Sequence, residues 1–260
     1  MQVTAAHHAD PVPAVRRIGI GDLFEALRRG WDDFMAMPTQ LVFLSLLYPL
    51  IGIVAARAMM DEKLIPLLFP LAAGFTLMGP VLALGMYELS RRREQGEPTT
   101  FYHALAVLRS PAMFAIASLG ALLLAIFVVW IASAKVIYDL TLGTLGPMAP
   151  DAMLQAVFTT EEGRRMLVIG NLVGLGFALL VLALAAVSFP LMVDRHVGPA
   201  VAARTSLRAF AENPGPMVAW GLIVAVILAL GMLPLFVGLA VALPVLGHAT
   251  WHLYRRLVVS

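Results

Sequence analysis

Six stretches of this 260-residue chain run almost without Asp, Glu, Lys or Arg, over about residues 38–56, 64–87, 111–134, 166–193, 217–231 and 234–254. That feature restricts the fold more than any other. About 20 apolar residues in a helix cover the roughly 30 Å hydrocarbon core of a bilayer. Inside that core a backbone has no water to bond, so only helices and closed barrels cross it. Stretches of this length predict helices. The expected fold is all-α, a bundle of six membrane spans.

Composition agrees. Hydrophobic residues make up 60% of the chain and charged residues 13%, against about 45–50% and 25% in soluble domains. Residues 18–260 therefore read as one transmembrane domain, behind a polar tail at 1–17 that has Pro11 and Pro13 but no apolar run. The tail does not read as a cleavable signal peptide. The net charge of +2 does not imply nucleic acid, because the basic residues sit at the edges of the apolar stretches. Without cysteine there is no thiolate metal site and no thiol redox chemistry.

Orientation follows from the cations. With six crossings, the side that holds the N-terminus receives Arg16, Arg17, Arg28, Arg29, Arg91, Arg92, Arg93, Arg109, Arg195, Arg204, Arg208, Arg255 and Arg256. The other side receives Arg57, Lys63, Lys135, Arg164 and Arg165. Lys and Arg are retained on the cytoplasmic side. Both termini are thus expected in the cytoplasm, and the membrane is expected to be a bacterial inner membrane.

The odd-numbered spans share a prelude. In the first, Asp22 and Glu25 have capping-box spacing. Ile20, Leu23, Phe24, Leu27, Trp31, Phe34 and Met35 follow on one helical face, with Arg28, Arg29, Asp32 and Asp33 on the other. In the second, Thr99 or Thr100 caps Phe101, Tyr102, Leu105 and Leu108 before Pro111; in the third, Pro199 opens a segment with Leu207 and Phe210 before Pro214. Such segments lie in the membrane interface. The even spans end alike: Pro80-Val81-Leu82 leads to Tyr87, Arg91 and Arg92, and Pro244-Val245-Leu246 leads to Trp251, Arg255 and Arg256. An aromatic followed by arginines reads as an interfacial anchor, as does Trp31. The pattern predicts three parallel repeats of interfacial helix plus transmembrane hairpin. The outside segment 136–165 is broken by Gly143, Gly146, Pro147 and Pro150, then allows a short helix over 151–158 and a cap at Thr160.

The span interiors offer little chemistry. Their middles hold no charge, which argues against a proton-driven pump. Asn171, within Gly170-xxx-Gly174, reads as a helix-packing polar group. Seven prolines (Pro49, Pro66, Pro70, Pro80, Pro190, Pro234 and Pro244) can break spans, as in transporters. His248 and His252 share a face four residues apart, and Glu88 at the matching end of the second span is a candidate third metal ligand or charge partner. The adjacent pair His7-His8 and the isolated His103 and His196 carry less weight. No Ser-His-Asp order, HExxH or Walker loop is present.

Three segments carry a resemblance: Tyr87-Glu88-Leu89-Ser90-Arg91-Arg92-Arg93, Asn213-Pro214-Gly215-Pro216, and Pro244 through Arg255 (PVLGHATWHLYR). From Val15 onward the chain resembles a family of bacterial, mostly proteobacterial, integral membrane proteins catalogued as a domain of unknown function. The resemblance implies a polytopic inner-membrane protein and supplies no substrate, cofactor or catalytic residue. The functional expectation is a non-enzymatic binding, assembly or scaffolding factor for membrane proteins or lipids, with no cofactor and with room for self-association. The alternative is a transporter or channel for a small neutral or apolar solute. A haem- or metal-linked factor using His248 and His252 is the third option.

Overall fold

A computed structural model describes residues 12–37, 66–146, 148–234 and 236–259. The span at 38–56, Pro49 and His7-His8 lie outside the described residues. Those described are helical, apart from connections and one isolated antiparallel bridge between Val15 and Val258. In chain order the α-helices are α1 Ile20–Ala36, α2 Leu68–Leu77, α3 Gly79–Leu82, α4 Leu84–Glu94, α5 Phe101–Ala104, α6 Met113–Leu140, α7 Pro150–Thr159, α8 Glu161–Ala185, α9 Ser188–Arg195, α10 Pro199–Glu212, α11 Pro214–Met232 and α12 Leu239–Leu257.

Three of these segments are long and apolar enough to cross a membrane: Met113–Leu140, Glu161–Arg195 and Pro214–Met232. They correspond to the stretches at 111–134, 166–193 and 217–231; the second and third are longer by a few residues across their two ends, and the first starts two residues later and ends six later. Only about a fifth to two fifths of each most apolar window is buried. Leu122, Leu124 and Val128 on α6, Leu172 and Leu175 on α8, and Leu222 and Leu230 on α11 face outward. In water this surface would be costly. Against lipid tails no hydrophobic force drives the helices together, and they can leave such side chains outside.

Prolines set the breaks. The segment at 64–87 is divided into α2, α3 and α4 by single-residue turns at Met78 and Ala83 on either side of Pro80. α8 gives way to α9 at Ala186 and Val187, four and three residues before Pro190, which has no N–H to return to the Ala186 carbonyl. The Val187 N–H freed there donates to Ser206 Oγ of α10 at 3.2 Å. By contrast α12 continues through Pro244. The matching Pro-Val-Leu motifs therefore have different backbones, a break in one and an unbroken helix in the other.

The caps agree in part with the sequence. Thr160 accepts from Gly163 N–H at 3.0 Å, Pro199 and Pro150 begin α10 and α7, and Thr100 caps α5, its N–H donating to His103 Nδ1 at 3.0 Å. The capping box read at Asp22 and Glu25 is displaced by one turn. α1 begins after Gly19, whose N–H donates to Asp22 Oδ2 at 2.9 Å, while Glu25 is bonded to Arg28 and Arg29. His196 ends α9 in the left-handed region, at φ 53°, where His is among the residues enriched.

The packed core lies at the arginine-rich end. Leu23, Tyr87, Phe189, Leu191, Met192, Trp220, Trp251, Leu253, Tyr254 and Leu257 are each at most 1% exposed and belong to one cluster. Most of α12 from Pro244 onward is enclosed, chiefly by α1 and α4. α1 runs antiparallel to α12, with Asp22 beside Arg256, Gly30 beside Ala249 and Asp33 beside His252. Two glycines permit the approach. A methyl group on Gly30 would lie 2.5 Å from the Ala249 backbone nitrogen, and one on Gly247 would lie 2.9 Å from Met86 Cβ.

The apolar stripe of α1 is therefore divided. Leu23 and Phe34 are buried, together with the small residues Ala26 and Gly30 beside the stripe, whereas Phe24, Trp31 and Met35 stay 62%, 47% and 60% exposed. A purely interfacial helix would bury neither Gly30 nor Asp33. The Gly30→Leu variant should displace α1 from α12. Limited proteolysis in mild detergent should then cut within residues 19–37 at a rate at least tenfold above wild type, with α6 and α8 unaffected.

Candidate functional site

The contact between α1, α4 and α12 encloses a polar network. Asp33, Ser90 and His248 are buried, and only 11% of the His252 side chain is exposed. Helical periodicity supplies the placement. His248 and His252 are one turn apart on α12, Ser90 and Arg93 nearly so on α4, and Asp33 follows Gly30 along the buried face of α1.

The bonding fixes the proton positions. Asp33 Oδ2 accepts the Ser90 hydroxyl at 2.5 Å and His252 Nε2–H at 2.8 Å, and Oδ1 accepts Arg93 Nη1–H at 2.8 Å. A second Arg93 bond reaches the Asp32 carbonyl at 2.7 Å. Ser90 has one proton, and Asp33 takes it. Ser90 Oγ must then accept from His248 Nδ1–H, 2.7 Å away, which leaves the His248 Nε2 lone pair inward. That nitrogen is the buried side-chain N or O atom without a hydrogen-bond partner among the described residues.

Burial alone would push the Asp33 carboxyl up. The hydrogen bonds from His252 and Ser90 outweigh it and hold Asp33 below its ordinary value. A group depressed in this way stabilises the fold fully above its unfolded value and loses that contribution as pH falls through the folded one.

The constituents of a hydrolase triad are present, but they are connected differently. In such a triad the serine is bonded to one imidazole nitrogen and the carboxylate to the other. Here Asp33 holds the serine proton, and no carboxylate orients His248 through its second nitrogen. Among the described residues no three His, Cys, Asp or Glu side chains are placed to hold a metal. Glu88 does not join the histidines. It bonds Arg91 at 2.8 Å and Arg92 at 2.8 Å on its own helix, and Asp33 is the carboxylate the pair meets.

Further ion pairs surround the network. Arg255 reaches Glu94 at 3.1 Å and Asp194 at 3.5 Å, Arg256 reaches Asp22 at 2.9 Å, and the Tyr254 hydroxyl donates to Asp194 at 2.5 Å. Trp251 Nε1–H donates to Glu94 at 3.1 Å. Asn213 ties down the N-terminal segment, accepting from Ile18 N–H at 2.8 Å and donating to the Arg16 carbonyl at 3.0 Å. Tyr87 and Trp251 are thus core residues rather than interfacial anchors: each is 1% exposed. Arg91, Arg92, Arg255 and Arg256 are spent on partners within the protein. Among the residues read as anchors, Trp31 keeps an exposed ring.

The other polar candidates resolve differently. Asn171 donates to the Leu167 carbonyl of its own helix at 2.7 Å and is exposed, so it packs no neighbouring helix. Gly170 has open space where a side chain would project, while a Cβ on Gly174 would lie 3.1 Å from the Trp130 ring. Only Gly174 serves helix packing. Trp130 also meets Phe177 in a tilted ring contact, centroids 5.6 Å apart, and donates to the Pro70 carbonyl at 2.8 Å, which links α6, α8 and α2. Ser118 and Ser133 return to carbonyls of their own helix.

Two apolar cavities lie between the long helices. One of about 350 Å³ is lined by Trp130, Tyr138, Leu154, Phe158 and Asn171 among others. The second, about 410 Å³, lies between α3, α4, α8, α11 and α12.

Residues 68–194 match the family model described as "Predicted integral membrane protein (DUF2189)". Of the three segments that carry the sequence resemblance, only Tyr87 to Arg93 falls inside that match. Comparison with curated proteins and with solved structures returned no match.

Asp33→Asn should cost about 2–3 kcal/mol, the range for hydrogen bonds to a charged group with allowance for the part-exposed Arg93. Thermal unfolding in detergent measures it. Protection of α1 from protease in the wild type should be constant from pH 7 to 5 and fall below about pH 4, near the ordinary Asp value. In the Asn variant that pH dependence should disappear.

Proposed function

We propose that this integral membrane protein, which carries the DUF2189 match over residues 68–194, is a non-enzymatic factor that binds lipids or other membrane proteins. It crosses a bacterial inner membrane six times with both termini in the cytoplasm. The observation that carries this reading is the division of the molecule. Many of its charged side chains pair with one another at one end, and its long helices present largely apolar surface to their surroundings. A catalyst needs a polar group within reach of substrate. The polar network here is closed off, and both cavities are almost wholly apolar.

The gathering of Arg93, Arg195, Arg255 and Arg256 with α1 at one end supports the cytoplasmic assignment of that end. It also supports three hairpins of like orientation. The transporter reading retains one observation in its favour, the apolar cavity between α4, α8, α11 and α12, which suits a neutral or apolar solute.

Topology has a direct test. A reporter active only in the cytoplasm should function when fused after Ser260 or before Val12, and a periplasmic reporter should function when inserted at Gly146. The reverse pattern overturns the orientation. Cross-linking followed by purification in mild detergent should recover a stoichiometric protein or lipid partner. Recovery of the chain alone, with concentrative uptake of an apolar solute by proteoliposomes, would favour transport.

A further inference from the structure

The cavity of about 410 Å³ is elongated. Its lining runs from Leu175 on α8 to Ala186 just past the end of that helix and from Val218 to Leu228 on α11, about 15 Å along each at roughly 1.5 Å per residue. Its volume falls within the range of small-molecule sites, about 300–1,000 Å³.

Its polarity is one-sided. Away from the arginine-rich end it is lined by apolar residues such as Leu175, Leu228 and Leu243. Thr250 also lines it, but its hydroxyl returns to the Leu246 carbonyl at 2.7 Å. Two further polar groups, the Tyr87 hydroxyl and the Trp220 N–H, belong to residues at the arginine-rich end. Neither has a hydrogen-bond partner among the described residues. Neither is among the atoms wholly sealed from open space, since His248 Nε2 is that atom. Two donors thus remain unengaged beside an apolar slot.

The sides of the slot are apolar as well. Leu175, Val218 and Leu222 line it and are 54%, 46% and 65% exposed, so it opens between α8 and α11 onto the faces that meet hydrocarbon. An acyl chain laid along these apolar walls gains dispersion contacts with them, and reaches the slot from the bilayer without crossing water.

We propose that this slot is a binding site for one acyl chain of a phospholipid, with the chain along α8 and α11 and the ester carbonyl accepting from Tyr87 and Trp220. The proposal rests on the reading that α8 and α11 cross the membrane and names the ligand class of the lipid-binding function. It makes the site a specific one, distinct from the annular lipid that wets Phe114 or Leu172.

The test uses the full chain reconstituted in vesicles of phosphatidylglycerol and phosphatidylcholine, extracted in dodecyl maltoside and washed until bulk lipid is removed. Native mass spectrometry should show one phospholipid retained per chain. Ala178→Phe with Ala225→Phe fills the slot from positions that are themselves exposed, and should reduce retention at least tenfold. Tyr87→Phe removes one donor while keeping the ring that lines the slot, and should weaken retention severalfold. Equal retention in wild type and the slot-filled variant means annular lipid only and overturns the proposal, as does no retention in wild type. An unchanged unfolding temperature and continued insertion into vesicles separate loss of the site from loss of the fold. A chain that fails to insert at all would instead overturn the membrane reading beneath it.

Discussion

The structure depends on a partition of solvents. Hydrocarbon accepts apolar side chains freely and accepts unpaired charge or open backbone at great cost. The helices α6, α8 and α11 obey that condition by length and composition, and leave leucines, valines and a phenylalanine facing outward. Many of the charged residues are gathered at one end, where they pair with one another. There the chain behaves as a soluble protein does, burying Trp251, Tyr254, Phe189 and Leu191 in a packed core and pairing its ions around the rim.

Within that end, Asp33 is the central joint. It is one carboxylate bonded by α4 through Ser90 and Arg93 and by α12 through His252, so a single residue of α1 fixes the positions of two other helices. A buried charge supplied with three donors is satisfied; the same charge with any donor removed is not. The close approach at Gly30 and Ala249 makes the geometry available. Only a residue without a side chain brings α1 near enough for Asp33 to reach α12.

The long helices were legible in the sequence because a hydrocarbon solvent demands runs of apolar residues, and such runs cannot be hidden. The caps at Thr160 and Pro199 were legible for a similar reason, since each answers a local need of the backbone. What the sequence concealed was the partnering between distant elements. Asp33 looked like part of a solvated face because its neighbours Arg28, Arg29 and Asp32 are; the sign of its burial was Gly30 and Ala26 beside the stripe, small residues that permit close packing. Tyr87 and Trp251 looked like anchors because an aromatic next to arginines usually is one. Here α1, α4, α9 and α12 converge and enclose them. The histidine pair was found, but its carboxylate was sought in Glu88, at the matching place in the apparent repeat, and came instead from α1.

If the protein is seated as proposed, α8 lies in hydrocarbon while α12 beyond Trp251 lies in protein and water. The chain has no cysteine, so a single introduced cysteine is its sole thiol. Leu172→Cys, Leu175→Cys and Leu180→Cys, at exposed positions of α8, are each to be treated with a membrane-impermeant maleimide in opened vesicles, beside Arg164→Cys and Arg256→Cys near the two ends. Rapid labelling is expected at 164 and 256, and none at the three leucine positions until detergent is added. Labelling at 172, 175 and 180 as fast as at the ends would contradict that seating.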